Sequence, residues 1–160
     1  MTTWGRLTDL INNGRELTYG ETLFFVFSQE HIQLFAIELN TGSPNNSEYG
    51  QLFLQGIDVE GTPLSDIGGD YALSTERIKR ATGLPFDRVT LYQEGDLYKS
   101  WDFIQKSDSF VLSANTVKEG VDLRERWGPD FIGLTNESIN ELCGEVVPEI
   151  ISYVLRSLLQ

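Results

Sequence analysis

A chain of 160 residues, 40% of them hydrophobic, is long enough to bury its own core and too apolar to remain unfolded despite a formal charge of −12. That charge argues against direct binding to nucleic acid or to an anionic membrane surface. The single cysteine, Cys143, excludes an intrachain disulfide, and with one histidine, His31, a structural zinc site lacks ligands.

In chain order, residues 4–13 read as a short helix with Trp4, Leu7, Leu10 and Ile11 on one face, and Asn12-Asn13-Gly14 as its stop. Thr22 to Ser28 reads as a buried strand around Leu23-Phe24-Phe25-Val26-Phe27, joined by Gln29-Glu30 to a second strand from His31 to Leu39. Thr41 to Gly50 is turn chemistry throughout, and Gln51 to Val59 reads as a third strand. A second loop covers Glu60 to Asp70. Ser74 then reads as the N-cap of a helix from Thr75 to Thr82, stopped by Gly83 and Pro85. Strands are expected at Val89–Tyr92, within Leu97–Gln105 and at Ser109–Ala114, followed by irregular chain over 115–134.

From Thr135 the apolar positions 139, 142, 143, 146, 147, 150, 151, 154, 155, 158 and 159 form a helical stripe, so a helix over 136–159 buried along Ile139–Leu158 is expected. Pro148 cannot donate to the carbonyl of Gly144, so a kink or break is expected between 144 and 148. The early strands follow one another too closely for crossover helices. The expected fold is therefore α+β, one domain spanning 1–160, with a largely antiparallel sheet, helices packed on it and a long amphipathic C-terminal helix.

The charge is unevenly placed. Residues 16–70 carry Glu16, Glu21, Glu30, Glu38, Glu48, Asp58, Glu60, Asp66 and Asp70 and no Lys or Arg, whereas acids and bases balance over 71–126. Such a stretch cannot neutralise itself locally and attracts basic partners. On the last helix Glu137, Glu141, Glu145 and Glu149 recur every four residues, an acidic ridge beside the apolar stripe. Glu48, Asp58, Glu60, Asp66, Asp70, Glu137, Glu141 and Glu145 are the candidate partner-binding residues.

Cys143 falls on the apolar stripe and reads as a small core residue, and His31 as a strand-end surface residue. Asp66 and Asp70 flank Gly68-Gly69, where a hard cation or an acid/base pair has a place but a glycine turn suffices. Among Tyr49, Tyr71, Trp101 and Trp127, one or two are expected to be exposed interface anchors. No nucleophile–base pair, metal motif or phosphate cradle is present, so the expectation is a non-enzyme without metal or cofactor. The first residues show no secretory pattern, and no apolar run approaches the length of a membrane helix, so a cytoplasmic protein is expected.

In size, acidity, single-domain build and lack of catalytic residues the chain resembles the small acidic immunity proteins of bacterial toxin–immunity systems, including contact-dependent inhibition. The resemblance covers no motif and carries over no residue. It implies a protein-binding inhibitor that neutralises a basic partner such as a toxin nuclease. The alternatives are a nucleic-acid mimic that blocks a DNA-binding protein, and a small hydrolase or ligand-binding module using carboxylates near Asp66 and Asp70.

Overall fold

Leu23, Val26 and Phe27 are buried at helical spacing, and so are Ile32, Ala36 and Leu39 in the next segment. The computed structural model, which describes residues 19–45, 50–107 and 109–159, accordingly places them on two helices, α1 (Tyr19–Phe27) and α2 (Glu30–Thr41). The strands expected at Thr22–Ser28 and His31–Leu39 are therefore a helical hairpin. A run of five apolar residues satisfies either period, and the packing partner decides between them. That partner is the long C-terminal helix, against which both α1 and α2 pack. The Gln29 side chain donates to the carbonyl of Phe25, and that of Gln33 to the carbonyl of Phe27, which satisfies carbonyls at the end of α1. The helix expected over 4–13, the acids Glu16 and Glu48, and Tyr49 lie outside the described residues.

The third expected strand is also helical. Gln51–Gln55 forms a π-helical turn that ends at Gly56, whose φ of 68° is left-handed. Only a residue without Cβ fits there, because a Cβ would lie 2.8 Å from the carbonyl oxygen of Val89. Next come α3 (Leu64–Gly68) and α4 (Leu73–Ala81). The N-cap of α4 is Ala72 rather than Ser74, and the expected stop at Gly83 has a φ of 71°.

The front of the expected 97–105 strand is taken by α5 (Asp96–Lys99), leaving β1 (Asp102–Gln105). This strand pairs antiparallel with β2 (Phe110–Ser113), with Phe103 opposite Leu112 and Ile104 opposite Val111. Residues 115–134 are more regular than expected. They hold a second hairpin, β3 (Val117–Lys118) with β4 (Val121–Asp122), and then α6 (Leu123–Trp127). Asp122 caps α6 by accepting from the Arg124 N–H.

The last helix, α7, runs from Asn136 to Leu159 and continues through Pro148 instead of breaking there. The carbonyl that Pro148 leaves without a donor belongs to Gly144, which is exposed and open to water. Two buried polar side chains tie these parts together. Asn40 donates to the carbonyl of Phe131 and accepts from Trp101 Nε1 and the Gly133 N–H. Gln51 donates to the carbonyl of Gly133 and accepts from the Thr135 N–H at the start of α7. The fold is α+β, with two small antiparallel hairpins set among helices. No helix among the described residues is long and apolar enough to cross a membrane.

Candidate functional site

The acids singled out from the sequence do not share one fate. Asp58 is buried, and its Oδ1 accepts from the N–H groups of Glu60 and Thr62, closing the 58–62 turn. It is committed to the fold and presents no carboxylate for a partner. Glu60, Asp66 and Asp70 are exposed, as are Glu137, Glu141 and Glu145 on α7. None of these six makes an ion pair among the described residues, where the ion pairs are His31–Glu149, Asp87–Arg88 and Asp122–Arg124. The turn carrying Glu60 is tied to the loop before α7 by the Val59 N–H, which donates to the carbonyl of Asp130. Asp66 and Asp70 sit at α3 and just beyond it. Arg126 reaches them only through backbone, donating to the carbonyls of Gly68 and Asp70. Among the described residues no three His, Cys, Asp or Glu side chains gather as a metal site.

The apolar stripe of α7 is wider than the face it buries. Leu142 and Val146 are in the core, and Ile150 packs against it. Ile139, Cys143, Val147, Ile151 and Leu155, which recur every four residues, are exposed. The expectation that the whole Ile139–Leu158 stripe is buried is thus corrected. So is the assignment of Cys143 to the core; the side chain of Leu158 lies outside the described residues. The exposed apolar ridge and the Glu137–Glu141–Glu145 ridge lie on opposite sides of α7, since two residues, or about 200° of turn, separate Ile139 from Glu137 and from Glu141. Of the candidate aromatic anchors, Trp101 and Trp127 are buried and Tyr71 is half-buried, while Tyr49 lies outside the described residues. His31 is exposed as expected, but on a helix, 3.5 Å from Glu149.

A second feature was not signalled by the sequence. Between α4, the 91–97 segment, the β3–β4 hairpin and α6 lies an open cleft of about 830 Å³. The 71–92 part of the chain contributes Tyr71, Leu91 and Tyr92 to its lining, and the β3–β4 hairpin and α6 contribute Val117, Val121 and Trp127. Lys79 lines it from α4 and is only 2% exposed. Its Nζ donates to Thr90 Oγ1 and to the carbonyl of Tyr92, and stands 4.7 Å from the centre of the Tyr71 ring. Burial lowers this amine from 10.5 to about 8.

The same region holds residues 89–92, which form no strand and pass through a left-handed φ at Leu91. The Tyr71 hydroxyl accepts from the N–H groups of Thr90 and Leu91, and the Thr90 hydroxyl from that of Tyr92. The Tyr98 hydroxyl donates to the carbonyl of Thr90 at 2.5 Å. Burial, with Tyr71 and Tyr92 nearby, holds the Tyr98 phenol well above its usual range. The far wall is fixed by Asp122, which accepts from Thr116 Oγ1 at 2.7 Å and from the Arg124 guanidinium. The side-chain bond from Arg124, with help from Thr116, holds this carboxyl well below the ordinary carboxylate range. The Trp127 ring lies over Gly68, where a Cβ would come within 2.5 Å of its Cδ1. The Trp127 Nε1 is buried and has no hydrogen-bond partner among the described residues.

Sequence reasoning missed Lys79 because α4 is inverted. Leu73 and Ile78 are 71% and 53% exposed while Lys79, the residue after Ile78, is buried. Only the tyrosines and threonine that surround it in space account for its placement, and they come from 71, 90 and 92. No protein-family model, no curated protein and no solved structure matches this chain.

Proposed function

We propose that this chain is a protein-binding inhibitor that covers a basic partner with its acidic face. The partner class we assign is a nuclease toxin, with this chain as its immunity protein. One observation carries the reading: α7 presents Glu137, Glu141 and Glu145 as an exposed ridge of like charge, unpaired among the described residues. Carboxylates of one sign steer a basic partner and raise its association rate. Glu60, Asp66 and Asp70 extend the acidic field, and a nuclease is the basic partner of choice because its own substrate is a polyanion.

The test uses the basic protein that the chain captures from its source cells. Reversing Glu137, Glu141 and Glu145 together to Lys is expected to slow its association by about tenfold or more at low salt, with the melt nearly unchanged. A captured partner that is acidic, or one whose association rate ignores the triple reversal, refutes the reading.

A further inference from the structure

The Lys79 cleft is independent of the acidic face. Buried charges are ordinarily paired, because an uncompensated ion in a poorly solvated site is costly. Lys79 departs from that rule: its Nζ has a hydroxyl, a carbonyl and an aromatic face around it, and no carboxylate pairs with it among the described residues. It lines an open cleft whose volume, about 830 Å³, falls in the range of small-molecule sites. Among the described residues, the two non-glycine residues with positive φ are Leu91 at 55° and Glu119 at 53°, and both line this cleft. Backbone held in that region costs energy and concentrates at ligand sites.

From this we infer that the cleft is a binding site for a small organic monocarboxylate with an apolar body, its carboxylate drawn to Lys79 and its body laid between Leu91 and the Val117–Val121 hairpin. A counter-ion is what the lysine lacks, and Leu91, Val117 and Val121 are apolar contacts within a mixed polar and apolar lining. Glu94, Asp96 and Glu119 also line the cleft, against Lys118 and Arg126, so its charges balance and suit a singly charged anion better than a multiply charged one.

Titration calorimetry on the full chain with phenylacetate and octanoate tests this. Phenylacetate is expected to bind, with phenylacetamide and phenethylamine weaker by about tenfold or more. Lys79→Met is expected to lose the preference for acid over amide. Val121→Trp, which fills the mouth from an exposed position and leaves Lys79 in place, is expected to weaken phenylacetate by a similar factor. This second variant decides the matter should Lys79→Met fail to fold. Equal affinity for acid and amide, unchanged binding in a folded Val121→Trp protein, or no heat from either acid up to about 10 mM would each overturn the assignment.

Discussion

In the β1–β2 hairpin the backbone of Asp102–Gln105 pairs with that of Phe110–Ser113. Between Val89 and Tyr92 the backbone groups find side chains instead, those of Tyr71, Lys79, Thr90 and Tyr98. Both stretches meet the requirement that buried N–H and C=O groups be paired. They differ in what holds them. A ladder belongs to the backbone and tolerates changes of side chain; a segment tied by side chains is only as secure as each residue that reaches it.

The largest expected effect follows from removing one hydroxyl. Tyr71→Phe leaves the N–H groups of Thr90 and Leu91 without an acceptor and is expected to cost about 2–3 kcal/mol, read from urea melts. The amides of residues 90 and 91 should then exchange faster with solvent, while those of β1 and β2 keep their protection. A change below about 0.5 kcal/mol would mean that water replaces the phenol there, and the contrast would collapse.

A smaller effect concerns pH. Lys79 releases its proton at about 8 in the folded chain and near 10.5 when unfolded. Between those values the unfolded state holds more protons, so stability from this residue rises with pH and its burial penalty is fully present below 8. Tyr98, held above its usual range, acts in the opposite sense above pH 10, so the clean window is roughly 8 to 10. Urea melts across that window should slope upward for the wild type relative to Lys79→Met. Equal slopes would show that the amine is not desolvated.

The smallest effect is expected on the hairpin. Val111→Thr changes an exposed side chain and touches no ladder bond, so its cost should stay within about 0.5 kcal/mol. A loss comparable to that of Tyr71→Phe would show that the hairpin too depends on its side chains.

How much was legible in the sequence follows the same division. α7 was readable because Leu142, Val146 and Ile150 repeat at a helical period over a long segment, and its glutamates lie outside as their spacing implied. β2 was readable from local pattern as well. The α1–α2 pair was not, because five apolar residues in a row carry no period. The inner and outer halves of the α7 stripe were inseparable for a related reason: Leu142 and Cys143 are neighbours in an apolar pattern, and only α1 and α2 decide which is covered. Asp58 looked like surface because a turn that consumes its own carboxylate has the same composition as one that displays it.

Asn40 has a consequence for how the chain is made. Its partners Trp101, Phe131 and Gly133 lie 61, 91 and 93 residues downstream. During synthesis at about 5–20 residues per second, the α1–α2 hairpin waits on the order of 5–20 seconds before the last of them is translated. Until Trp101 is made the amide has none of these three partners, and α7, against which both helices pack, is made after all of them. Closing contacts of such long sequence separation also slows refolding of the complete chain. The residue that locks the middle of the molecule is therefore among the last to be satisfied, and the nascent hairpin is a natural client for a chaperone.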